Sequence, residues 1–161
     1  MINVTERLQL ASREQVVAEA LSWCGTKYVF NQCLKGVAAD CATFILGVYR
    51  NCGLFTEENI EVYAADWFQH ASTERYLLWL MRHAAKIAEA TCSASLTMLP
   101  GNIVLTRVAR SRRYNHGGIV IDWPEIVHCM YPEVKRADAS RDPLWFMREI
   151  IAFDPWRKHE E

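Results

Sequence analysis

The stretch from Cys41 to Asn51 constrains this chain most. Phe44, Ile45, Leu46, Val48 and Tyr49 leave it apolar on nearly every side, and such a helix is stable only where other elements surround it. Asp40 stands at the cap position before it, and Gly53 follows its end, so start and stop are both marked. Gly47, in the middle, lets a neighbouring element come close. The fold is therefore expected to wrap around this helix. With 161 residues the chain can bury a real core, and residues 1–161 are read as a single domain.

The surrounding elements follow from local pattern. Ser12, Arg13, Glu14 and Gln15 form a capping box with Gln15 at its third helical position. Val16, Val17, Ala20 and Leu21 then predict one apolar helical face running to Trp23, and Gly25 stops it. Residues 26–39 have no clear period and read as a wall of loop. Residues 56–67 are irregular. From Thr73 to Ala90 a long helix is expected, with Leu77, Leu80, Met81, Ala84 and Ala88 as its inner stripe. The whole of 56–90 thus reads as a helical insertion. The last third changes period: 102–106, 117–121 and 126–130 read as strands, and 145–153 supplies a further one. Helices first and an antiparallel sheet after is an α+β arrangement.

Bulk properties exclude several functions. A formal charge of -1 with a pI near 6.5 argues against a general nucleic-acid binder. Arg107, Arg110, Arg112 and Arg113 form one basic cluster, either a solvated loop or a site for an anionic partner. No apolar run reaches membrane-spanning length. The first seven residues lack the basic and apolar regions of an export signal, so synthesis in the cytoplasm is expected. Six cysteines show no C-x-x-C spacing and read as reduced, small hydrophobic residues. A zinc site of Cys24, Cys33 and His116 lacks paired ligand spacing. Neither a metal nor a cofactor is assigned.

The chemistry concentrates on three residues. Cys41 sits where the central helix begins, and the unpaired N–H groups there favour a thiolate and could hold an oxyanion. Asp40 is foremost a helix cap. A cysteine at a helix start is open to two readings, packing residue or nucleophile, and the histidines weigh on the choice. His116 stands before Gly117 and Gly118, which remove bulk beside it. His128 lies in an apolar strand, either as a neutral core histidine with a single hydrogen bond or as an orienter that accepts from His116 and steadies its ring. A two-residue turn at Trp123-Pro124 would put the two histidines on opposite faces of the hairpin, so a shared site predicts a loop of three or five residues. Tyr28 is a further candidate, as an oxyanion donor or as ordinary packing.

At these residues the chain resembles the NlpC/P60 family of papain-like cysteine peptidases. The resemblance rests on Gly25-Thr26-Lys27-Tyr28, Asp40-Cys41-Ala42-Thr43-Phe44, Leu99-Pro100-Gly101-Asn102, Asn115-His116-Gly117-Gly118-Ile119 and Ile126-Val127-His128, in the family's order across roughly residues 12 to 131. It implies a helix presenting the cysteine on a small antiparallel sheet. It also implies nucleophile Cys41, base His116 and orienting His128, with Tyr28 near the oxyanion, Asp40 beside it, and a peptidoglycan stem peptide as substrate, cut between D-γ-glutamyl and diaminopimelate residues. Segments 13–53 and 63–67, with Glu74-Arg75-Tyr76-Leu77, are similar to phage-tail and gene-transfer-agent wall peptidases. That likeness implies particle proteins as partners and action in the periplasm or cell wall. Lys27 stands in place of proline, Ala42-Thr43 in place of serine and glycine, and Asn102 in place of aspartate.

Two other functions share these features. An amidase, deamidase, transglutaminase or acyltransferase would use the same thioester. A structural tail or assembly protein could retain the fold without chemistry, and an inert, occluded Cys41 would mark it.

Overall fold

The structure is a computed structural model and describes residues 10–56, 60, 63–64 and 73–159. Helix α1 spans Arg13–Ser22. The Ser12 hydroxyl accepts from the Gln15 N–H, and the Gln15 side chain accepts from the Ser12 N–H, so the capping box is complete. Gly25, with φ +89°, takes the left-handed turn that ends this region. Short strands β1 (Lys27–Tyr28), β2 (Cys33–Leu34) and β3 (Ala38–Ala39) occupy the stretch expected to be loop. Helix α2 then runs Cys41–Asn51, with every residue from Ala42 to Tyr49 buried.

The expectation of a long helix from 73 to 90 is corrected. Helix α3 covers only Arg75–Met81, and strand β4 covers Ala85–Ala90. β4 pairs antiparallel with the last strand, β9 (Ile150–Asp154). The open backbone edge of β9 decides this. Alanine, lysine and glutamate all favour a helix, and the row of sheet hydrogen bonds to β9 outweighs that propensity here. The expected segment at 65–67 lies outside the described residues.

After a short 3-10 turn at Ser93–Ser95 come β5 (Ile103–Thr106), β6 (His116–Asp122), β7 (Glu125–Met130) and β8 (Glu133–Asp138), and a second 3-10 turn at Trp156–His159 follows β9. The described residues form a nine-stranded sheet in the order β2-β3-β1-β8-β7-β6-β5-β9-β4. It is larger than expected because β1, β2, β3, β4 and β8 extend it, and it is mixed because β1 and β3 are parallel. Side chains alternate between two cores. Ile103, Leu105, Ile119 and Val127 face α1 and α2. Val104, Val120 and Ile126 face the opposite side with Trp145 and Met98.

Two close approaches lock α2 in place. A Cβ at Gly47 would lie 2.5 Å from Cζ2 of Trp23, so the glycine lets α1's terminal indole lie flat on the central helix. The Tyr49 hydroxyl donates to the Gly101 carbonyl at 2.6 Å. At the turn before β5, Asn102 Oδ1 accepts from the Leu99 N–H at 2.8 Å, a bond that an aspartate oxygen would make equally. Lys27 is exposed and pairs with Glu133 at 3.1 Å. Neither departure from the family pattern disturbs the fold.

Candidate active site

Cys41 is the first residue of α2, and Asp40 caps it. Asp40 Oδ1 accepts from the N–H groups of Ala42 and Thr43 at 3.0 and 2.9 Å. Its Oδ2 accepts from the Asn31 N–H at 2.8 Å and from the Tyr63 hydroxyl. Thr43 completes the box: its Oγ1 accepts from the Asp40 N–H at 2.8 Å. Thr43 is therefore a structural residue of the helix start. Asp40 is fully engaged as a cap and sits 1% exposed, which gives it no free oxygen for proton transfer.

The thiol of Cys41 is half-buried and donates to the Asn115 carbonyl at 3.5 Å. Asn115 directly precedes His116. Sulfur and imidazole both line one cavity of about 550 Å³, whose walls include Tyr28, Tyr63, Tyr76 and Trp79. Tyr76 donates its hydroxyl to the Cys41 carbonyl at 2.9 Å. The segment read as an insertion thus forms the wall facing the thiol and ties down the backbone that carries it. Sequence reasoning gave that segment no chemical role.

The histidines meet as the shared-site reading requires. His116 Nε2 and His128 Nδ1 are 2.8 Å apart. The route to this pairing differs from the one expected. Asp122 pairs with Glu125, so the loop holds only Trp123 and Pro124. A register shift between Val120 and Asp122 inserts one extra residue into β6, after which Gly118 pairs with His128. That bulge restores the parity that the two-residue turn would have broken. Loop length was the wrong variable; the extra residue sits inside the strand.

The pair points toward Trp145. A Cβ at Gly117 would meet Ile45 of α2, whereas one at Gly118 would meet Trp145. His116 and His128 follow Gly118, and the Trp145 indole Nε1 donates to His128 Nδ1 at 3.2 Å. His116 is the first residue of β6, so its ring also opens past the strand's end into the cavity shared with Cys41.

Burial acts against the charge expected on the sulfur. Burial, then the charge of Asp40, pushes the Cys41 thiol well above its ordinary value. Burial, then His128, holds His116 well below its ordinary value. Burial holds His128 down to about 4. Burial thus opposes charge on the thiol and on both imidazoles of the site. The helix N-terminus does favour an anion, but here burial and the adjacent carboxylate outweigh it. Burial, then Cys41 and Asp40, also pushes the Tyr28 hydroxyl up, so it stays protonated and able to donate within the cavity.

The arginine cluster lies on the connection between β5 and β6. Arg107 pairs with Glu149 at 2.7 Å and lies 4.4 Å over the Tyr114 ring, and Arg110 and Arg112 are exposed. Among the described residues no group of three or more His, Cys, Asp or Glu side chains is placed to hold a metal ion. No helix among them is long and apolar enough to cross a membrane. Trp145, Tyr63, Tyr76 and Asn115 belong to the site and were missed as such. Their partners lie far away in sequence, and no local spacing signals them.

No protein-family model matches this sequence, and no curated protein does. Solved structures do match. NlpC1 from Trichomonas vaginalis superposes with a TM-score of 0.60 at 17% identity, over 85% of this chain and 42% of that one. The NlpC/p60 domain of the peptidoglycan hydrolase SagA gives 0.53 at 17% identity, over 88% of this chain and 97% of the domain. An NlpC/P60 family protein from Bacillus cereus gives 0.61 at 11% identity, over 91% and 41%. The chain thus spans less than half the length of two of these three and nearly all of the SagA domain. Identities this low speak to architecture, and the architecture they share with this chain is the α+β NlpC/P60 fold.

Proposed function

We propose that this chain is a cysteine peptidase or amidase that hydrolyses an amide through a thioester on Cys41. One observation carries the reading: a half-buried thiol at a helix N-terminus opens into the same cavity as an imidazole that is itself hydrogen-bonded to a second histidine. His116 Nε2 is occupied by His128, which leaves Nδ1 as the nitrogen for the thiol proton. As Sγ bonds to the amide carbon, the proton passes to His116, and the carbonyl oxygen takes the negative charge. The Cys41 N–H, which Asp40 does not engage, and the Tyr28 hydroxyl are the donors for that oxygen. The C–N bond breaks with the proton delivered to the leaving amine. Water, activated by the same ring, then cleaves the thioester to a carboxylic acid and restores the thiol. Burial opposes charge on both groups, which favours proton transfer coupled to attack.

Peptidoglycan stem peptides are the proposed substrate, with the D-γ-glutamyl–diaminopimelate amide as the bond cut. The sequence resemblance supports this, as does the fold shared with a peptidoglycan hydrolase domain. A phage-tail or gene-transfer-agent particle is the proposed carrier, on sequence resemblance alone, with synthesis in the cytoplasm and action in the periplasm or cell wall. The test is digestion of purified sacculi with mass analysis of the released peptides. Wild type should release stem fragments and Cys41→Ala none, with the variant's fold intact by circular dichroism. Equal release by both would end the proposal. His116→Ala should lose more rate than His128→Ala.

The raised thiol supports a second reading, a non-catalytic assembly protein on the same fold. Digestion separates the two. A folded wild-type chain that releases nothing from sacculi would favour the assembly role.

A further inference from the structure

We propose that Trp145 is a positioning residue: its indole N–H fixes the tautomers of both histidines and so leaves the Nδ1 lone pair of His116 free for the thiol proton. An indole N–H can only donate. Trp145 Nε1 lies 3.2 Å from His128 Nδ1, with the hydrogen directed at it. His128 Nδ1 must therefore be the unprotonated, accepting nitrogen. His116 Nε2, 2.8 Å from that same Nδ1, must then carry a hydrogen and donate. A neutral imidazole has one N–H, so Nδ1 of His116 is left with its lone pair.

The opposite assignment fails on geometry. With a hydrogen on Nδ1, His128 would confront the indole N–H head-on. The assignment leaves the hydrogen of His128 on Nε2, which is buried and has no hydrogen-bond partner among the described residues; the cost of that N–H is outweighed at Nδ1, where the opposite tautomer would set two N–H groups against each other. The position of Trp145 is rigid, because its ring is 0% exposed and packs 5.4 Å from the His116 ring and 5.9 Å from His128, centroid to centroid. Protonation of His116 in the reaction keeps its Nε2–H donating, so the relay needs no rearrangement. The depressed pKa of His128, caused first by burial, agrees with a ring that stays neutral and accepting.

The kinetic value of this arrangement rests on the reading of His116 as the base; the tautomers themselves do not. They are read without substrate, by nitrogen NMR of the intact chain labelled with ¹⁵N-histidine at neutral pH. Wild type should show a non-protonated Nδ1 and a protonated Nε2 on both His116 and His128, each as a single form. A protonated Nδ1 on His128 would overturn the proposal. Trp145→Phe removes the N–H and keeps a buried ring; its His128 should show both tautomers. A folded Trp145→Phe that keeps the single wild-type tautomer would also overturn it. Should that variant not fold, the wild-type spectrum decides alone. The expected tautomers in a chain inert toward sacculi would leave this inference standing and remove the peptidase reading.

Discussion

At the scale of the residue, Asp40 carries two opposed effects. It satisfies two N–H groups of the helix that presents the nucleophile, a cap whose loss costs ~1 kcal/mol. Its charge also opposes ionisation of the neighbouring thiol. Asp40→Asn keeps an oxygen for the cap and removes the charge, so the thiolate becomes easier to form. The pH profile of Cys41 alkylation by iodoacetamide should shift to lower pH in that variant. An unchanged or higher midpoint would show that burial alone sets the thiol. Cys41, the cap and both histidines were legible in the chain, because each depends on local pattern: a helix start, or a position in a strand. Tyr76 and Trp145 were not. Their partners are a carbonyl 35 residues away and a ring 17 residues away, and only packing brings them together.

At the scale of the element, α2 was readable end to end because nothing competes with it. Its apolar surface, cap and terminal glycine agree, and agreement between levels specifies structure. Gly47 tests how tightly it is held. Alanine there would favour the isolated helix by about 1 kcal/mol. Its Cβ would overlap the indole of Trp23, which is 1% exposed and has nowhere to go. The clash should win, so Gly47→Ala should lower the urea midpoint, with a net loss of about 1–3 kcal/mol. A gain in stability would mean that the indole can move. Strand β4 shows the reverse case. Ala85-Lys86-Ile87-Ala88-Glu89-Ala90 favours a helix by composition, and the vacant edge of β9 made it a strand. The hairpin parity belongs here too: the need for a common face was visible in the two histidines, but a bulge within β6 has no sequence mark.

At the scale of the whole molecule, the site burdens the fold. Two histidines are buried on the Trp145 face of the sheet, where burial opposes their protonation. In the unfolded chain His128 takes a proton near pH 6.5, whereas in the fold it does so only at about 4. Between those values the unfolded state binds the extra proton, so stability falls as the pH drops through that window. The gap is worth ~3 kcal/mol for His128, and His116 acts in the same direction. Urea midpoints measured from neutral pH down to about pH 4 should fall steeply, and His128→Gln should flatten part of the slope. A wild-type midpoint constant across that window would contradict the buried, neutral pair. The sequence by itself determined the elements whose signals are local: a capped central helix, strands of period two, a cysteine at a helix mouth and two histidines twelve residues apart. Tertiary structure alone decided the bulge that brings those histidines to one face, the edge that turned 85–90 into a strand, and the burial that opposes charge on thiol and imidazole. The reason is physical. Periodicity and capping act within a few residues along the chain, whereas register, edge pairing and desolvation depend on what packs across it.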